Sequence, residues 1–145
     1  MGFLYTGGMS EERVPTTIPD PSLKAGWRVL IVDDSAQVRH ELRTLLPLAG
    51  DIEIVGEAAD GQEASRLAQA LQPDVVLMDL EMPILDGYEA TRQIKACFPT
   101  CRVVAFTVHG YEAAWLKAKA AGADLFLVKG ASLDALVSAI CGRSE

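Results

Sequence analysis

Five polar residues stand directly behind short apolar runs: Asp33 and Asp34 after 29–32, Asp79 after 75–78, Thr107 after 103–106, and Lys129 after 125–128. These runs are β-branched or bulky and nearly unbroken, as in strands buried on both faces. In an open parallel sheet, ligands bind beyond the carboxyl ends of the strands, where the strand order reverses. Such strands would bring three carboxylates, one hydroxyl and one ammonium to a single place. Each alone reads as a turn former or a solvated charge; their joint placement at four strand ends does not. Two carboxylates 4 Å apart repel by about 1 kcal/mol in water and about 4 kcal/mol at an effective dielectric of 20. A hard divalent cation offsets that repulsion, and Mg2+ takes carboxylates together with water and phosphate oxygens. No His or Cys belongs to the set, which disfavours zinc. A carboxylate is also a covalent nucleophile toward phosphorus, giving an aspartyl phosphate. Asp79, on the expected middle strand, is the best nucleophile, and Asp34 with Asp33 behind it is expected to hold the metal. Lys129 adds a compact cation for a phosphate oxygen, so that charge on the transferring group is neutralised from two sides.

The elements that must position these residues are legible in the spacing. A fifth apolar run lies at 52–55. Between the runs, helical periodicity places Val38, Leu42, Leu45 and Leu46 on one face, and Ala64, Leu67, Ala68 and Leu71 on another. Leu133, Leu136, Val137 and Ile140 repeat the pattern near the end of the chain. Asp60 with Glu63 and Asp86 with Glu89 are spaced like capping boxes, and Ser132 reads as an N-cap. Gly50 and Gly122 sit where helices should stop. Five β-α units follow: an α/β, doubly wound, five-stranded parallel sheet with right-handed crossovers.

The bulk numbers bound the function classes. At 145 residues the chain fits one domain, and its formal charge of -7 leaves no basic footprint for nucleic acid or an anionic membrane. Cys97, Cys101 and Cys141 are odd in number and form no C-x-x-C pair, so reduced cysteines in the cytoplasm are expected. No apolar run approaches the roughly 20 residues of a membrane span. Residues 1–26 carry Pro15, Pro19 and Pro21 with no periodicity and are expected to be a flexible leader. Met1-Gly2-Phe3-Leu4-Tyr5-Thr6 fits a myristoylation pattern, but nothing basic follows as a second anchor, so we read it as a chance match.

With these residues in hand, the sequence resembles the receiver domain of two-component response regulators. The runs RVLIVDDSAQVR, EAADGQEA, PDVVLMDLEMPILDGYEA, VVAFT and AGADLFLVKG carry the resemblance in the family's order, over an expected domain at 27–145. The resemblance implies a flavodoxin-like fold with strand order 2-1-3-4-5. It implies that Asp79 is the phosphoacceptor and that Asp33 and Asp34 are the acidic metal pair. Glu81 would offer its backbone carbonyl to Mg2+, and Thr107 and Lys129 would grip the phosphoryl group. Phe126 occupies the switch aromatic position. The implied partner is a histidine kinase or histidine phosphotransfer protein, with a phosphorylation-dependent homodimer as one form of output. Catalysis would be confined to the domain's own phosphorylation and Mg2+-dependent dephosphorylation.

Two positions depart from the family's pattern, and two variable ones border the site. Gly130 follows Lys129 where many members have proline. Val108 follows Thr107 where a smaller residue is usual, which implies slower phosphoryl exchange at Asp79. Glu81 and His109 hold variable positions that border the site, and His109 reads as a loop residue rather than a base. His40 reads as a solvated helix residue and Trp27 as a boundary anchor, while Trp115 reads equally well as core or as partner contact. In style the chain is similar to receivers that precede LuxR-type DNA-binding domains, and a stand-alone receiver or part of a longer transcriptional regulator both fit. Two other readings stay open. A haloacid-dehalogenase-type phosphatase also uses an aspartyl phosphate, but its nucleophile normally ends the first strand. The other is an interaction module with a vestigial pocket, against which the intact set of five residues speaks.

Overall fold

The computed structural model describes residues 26–142. Five strands alternate with five helices: β1 Trp27–Val32, α1 Ala36–Ala49, β2 Ile52–Ala58, α2 Gly61–Leu71, β3 Val75–Met78, α3 Gly87–Cys97, β4 Arg102–Thr107, α4 Glu112–Ala121, β5 Leu125–Val128 and α5 Leu133–Cys141. The strands form one parallel sheet in the order β2-β1-β3-β4-β5, so the expected doubly wound architecture is the one observed. The order reverses between β1 and β3, which puts Asp33 and Asp79 on neighbouring strand ends.

Alternation along each strand splits the core into two layers. Leu30, Val32, Val76, Met78, Val103 and Ala105 pack on one face with Ala64 and Ala68 of α2, Ala90 and Ile94 of α3, and Ala118 of α4. Val29, Ile31, Val75, Leu77, Val104 and Phe106 pack on the other with Leu42 and Leu46 of α1 and Leu136, Val137 and Ile140 of α5. The N-caps are as expected, with Asp60 Oδ1 accepting from the Glu63 amide, Asp86 Oδ1 from Glu89 and Ser132 Oγ from Ala135; the return arms of the capping boxes are not formed, since Glu63 accepts from the Ala59 amide and Glu89 pairs with Arg92. Ser35 caps α1 in the same way, accepting from Val38. Arg28 ties the end of α2 to the sheet, its guanidinium donating to the carbonyls of Leu71 and Gln72.

Several expectations need correction. Unbroken burial holds for β1 beyond its first turn and for β3 and β4, but β2 and β5 are edge strands and stay partly exposed. Leu45 and Leu133 are exposed rather than core residues. Val38, Leu42 and Leu46 follow a strict four-residue step, and Leu45 falls beside that stripe. Leu133 is the first residue of α5 and sits at the helix end rather than along its packed length. Gly122 ends α4 in the left-handed region, whereas Gly50 ends α1 in an extended conformation. Trp27 does act as a boundary anchor, packed at the margin of the second layer opposite Ile52. Helix α3 stops at Cys97, so Cys97 and Cys101 share no helix face, and both are free thiols. No helix among the described residues is long and apolar enough to cross a membrane. The leader expected at 1–26 and its myristoylation-like start lie, Gly26 apart, outside the described residues.

The loop between β3 and α3 contains a backbone strain. Ile84 has φ 70° and is 77% exposed, so a β-branched residue occupies the left-handed region with little packing in return. That conformation costs an L-residue about 1–2 kcal/mol. Ile84→Gly is expected to stabilise the fold by about 1 kcal/mol in denaturant unfolding. An unchanged or lowered midpoint would mean that packing of Ile84 offsets the strain.

Candidate functional site

The carboxyl ends of β1, β3, β4 and β5 deliver the five residues. Asp33 extends β1, its amide donating to the carbonyl of Ala58 on β2; Asp79 extends β3, its amide donating to the carbonyl of Val32. Each is therefore held by the sheet rather than by a loop. Asp33 is 2% exposed and Asp79 6%, while Asp34 is exposed. Oxygens of Asp33, Asp34 and Asp79 lie within 4.8 Å of one another. Lys129 reaches in from the end of β5, with Nζ 2.5 Å from Asp33 Oδ2 and 3.7 Å from Asp79 Oδ2. Thr107 is buried at the end of β4, and its hydroxyl accepts from the His109 amide at 3.3 Å.

A close backbone approach keeps this corner compact. A Cβ on Gly87, the first residue of α3, would lie 2.1 Å from the carbonyl oxygen of Asp79, so no larger residue fits there without displacing the acid. The Gly87 amide donates to the carbonyl of Leu80, drawing α3 against the end of β3.

The electrostatics follow from burial. Desolvation, then the neighbouring Asp33 carboxylate, push Asp79 up from the usual carboxylate range to about 6 despite the opposing pull of Lys129. One ammonium faces two buried carboxylates and an exposed third. The donor set is all oxygen, which suits a hard divalent cation such as Mg2+ and lacks the nitrogen and sulphur ligands of zinc.

Residues 29–141 match the family model described as the response regulator receiver domain. The chain belongs to that family. The receiver domain is 41% identical over 113 residues to the response regulator GacA of Pseudomonas viridiflava, covering 78% of this chain and 53% of GacA. Among solved structures, it is similar to a LuxR-family two-component response regulator from Aurantimonas sp. SI85-9A1 (37% identity, TM-score 0.76, 82% of this chain and 88% of that one). A chain of the CheX–CheY–BeF3–Mg2+ complex from Borrelia burgdorferi is also similar (28% identity, TM-score 0.74, 80% of this chain and 87% of that one). The receiver spans about half the length of the curated regulators it matches.

Around the acids, the departures take physical form. The carboxylate of Glu81 lies outside the acidic cluster, with Oε2 2.7 Å from His109 Nδ1, close enough for an ion pair though not aligned as a hydrogen bond. The His109 ring also sits 5.7 Å from that of Tyr111. Val108 is 61% exposed beside Thr107. Gly130 has φ 112°, a conformation closed to proline, so this loop follows a path that a proline in its place could not share. Phe126 is half-buried against the first core layer, and Trp115 of α4 lies over it with ring centroids 5.8 Å apart. Trp115 is thus a core-margin residue packed on Phe126. Sequence reasoning missed one residue: Arg39, whose Nη1 donates to the backbone carbonyl of Asp33 at 2.5 Å. Its faint signal is an arginine one turn into the helix that starts beside an acid pair.

Because Asp79 is raised in the folded state, its charged form opposes folding. That opposition is full above about pH 6 and vanishes below the ordinary value of 3.8. Without divalent cations, Asp79→Asn is expected to raise stability at pH 8 by on the order of 2–3 kcal/mol. The gain should shrink as pH falls from 6 to 4. Unfolding curves across this range check it, and a gain independent of pH would contradict it.

Proposed function

We propose that this receiver is a phosphorylation-dependent signalling switch in which Asp79 accepts a phosphoryl group from a phosphohistidine of a histidine kinase or phosphotransfer protein in the cytoplasm. The observation that carries the reading is the gathering of Asp33, Asp34, Asp79 and Lys129 at the strand ends, with more buried negative charge than the ammonium offsets. An Asp79 oxygen attacks phosphorus as the phosphorus–nitrogen bond of the donor breaks and its electron pair returns to the imidazole. Lys129 neutralises one side of the transferring group, and the Thr107 hydroxyl turns from the His109 amide toward a phosphoryl oxygen. Asp33, Asp34 and Asp79, with the backbone carbonyl of Glu81, would hold Mg2+, which when bound supplies further charge neutralisation. The similar CheX–CheY complex named with BeF3 and Mg2+ supports that assignment. Movement of Thr107 opens space behind it for Phe126, and through the ring contact Trp115 follows, so α4 and β5 form the surface that changes. Water then attacks the phosphoryl group, inorganic phosphate leaves and Asp79 is restored; its own phosphorylation and this Mg2+-dependent dephosphorylation are the reactions the domain promotes.

The output lies with another segment or partner, in keeping with regulators about twice as long as the matched region. A net charge of -7 argues against nucleic-acid contact by this chain itself. A phosphorylation-dependent homodimer through the changing surface is one form such output takes.

Acetyl phosphate with Mg2+, followed by intact mass and Trp fluorescence, tests the assignment. One phosphoryl adduct is expected, dependent on Mg2+ and absent in Asp79→Asn. No adduct from any donor would overturn the reading in favour of a vestigial pocket, and steady turnover of phosphate esters would favour a phosphatase. In Val108→Ala both formation and loss of the adduct should quicken; unchanged rates would remove the access role of Val108.

A further inference from the structure

Arg39 lies on the first layer of contacts behind the acid pair, on a helix face that the reading above leaves without a role. Its guanidinium has two partners. Nη1 donates to the backbone carbonyl of Asp33 at 2.5 Å, and Nε faces Glu57 Oε1 on β2 at 3.2 Å. Arg43, one turn further along α1, holds the other oxygen of Glu57, with Nη1 3.0 Å from Oε2. The Arg39 and Glu57 side chains are 18% and 25% exposed, so this contact is partly desolvated and stronger than a surface pair.

The placement of the carbonyl gives the contact its meaning. The Asp33 carbonyl belongs to the peptide that joins Asp33 to Asp34, so fixing its direction fixes the plane from which Asp34 projects. Asp33 is otherwise fully constrained: its amide binds Ala58, Oδ1 accepts from the Ser35 amide, and Oδ2 faces Lys129. Asp34 is exposed, and its carboxylate accepts no hydrogen bond among the described residues. Of the three acids it is the one whose direction rests on the backbone alone.

Glu57 is shared between Arg39 and Arg43, so it holds the far edge of the Arg39 guanidinium while Nη1 is directed at the Asp33 carbonyl. We propose that Arg39 is a positioning residue for the divalent cation: its Nη1 orients the Asp33–Asp34 peptide, a contact separate from the Nε pairing with Glu57. This inference rests on the reading that Asp33 and Asp34 hold Mg2+. Outer partners of metal ligands typically contribute about 10–100-fold in affinity, which sets the scale.

The test is Mg2+ affinity by titration calorimetry, alongside thermal unfolding in EDTA, for wild type, Arg39→Ala, Arg39→Lys and Glu57→Ala. Arg39→Ala should weaken Mg2+ binding about tenfold. Arg39→Lys, which keeps one donor in reach of the carbonyl, should recover part of the loss. Glu57→Ala should lose as much stability as Arg39→Ala in EDTA while keeping most of the Mg2+ affinity. Should Arg39→Ala fail to fold, Arg39→Lys against wild type carries the comparison, with a loss of about threefold expected. Wild-type affinity in the folded Arg39 variants, or an equal loss in Glu57→Ala, would reduce Arg39 to a staple between α1 and β2 and overturn the proposal. A wild-type protein that binds no Mg2+ would instead overturn the reading of the acid pair, and this inference with it.

Discussion

The structure turns on an excess of buried negative charge at one end of its sheet. Asp33 and Asp79 are almost fully removed from water, Asp34 completes the cluster, and among the described residues a single ammonium, that of Lys129, approaches two of the three. In a lower dielectric such repulsion is worth several times its value in water. A fold retains an arrangement of this kind where a bound cation and an anionic ligand complete it. Burial first, and the Asp33 carboxylate second, raise the affinity of Asp79 for protons, and a proton is the simplest cation that relieves both.

The rest of the fold holds that imbalance in place. Three central strands, buried on both faces, fix Asp33, Asp79 and Thr107 through backbone hydrogen bonds. The Gly87 approach pins α3 to the end of β3, and Arg39 pins α1 to the end of β1. The other side is less enclosed: β5 is an edge strand and Phe126 is only half-buried beneath Trp115. That contrast in enclosure suits the switch proposed above, in which one half binds and the other responds.

Most of the fold was legible in the sequence, because five apolar runs and the capping spacings reflect local rules of strand and helix. The site was legible for a related reason: its residues end strands, and strand ends converge in a parallel sheet. What escaped depends on distances between elements that no local pattern encodes. The exposure of Leu45 and Leu133, the partial exposure of β2 and β5, and the pairings of Glu81 with His109 and Trp115 with Phe126 are of this kind. Arg39 was overlooked because its partner is a backbone carbonyl, which leaves no signature in residue type. Gly130 was read as a departure from proline, and its positive φ gives that departure a physical basis.

The central claim, that the acids are buried with too little positive charge until a cation joins them, can be tested at Asp79 itself. Carbon-13 NMR of its side-chain carboxyl, titrated with and without Mg2+, reports the charge directly. Without Mg2+ the carboxyl should titrate near the raised value of about 6, and with Mg2+ the midpoint should move downward as the cation takes over the proton's role. A midpoint near the ordinary value of about 4 without Mg2+, or one indifferent to Mg2+, would contradict the account.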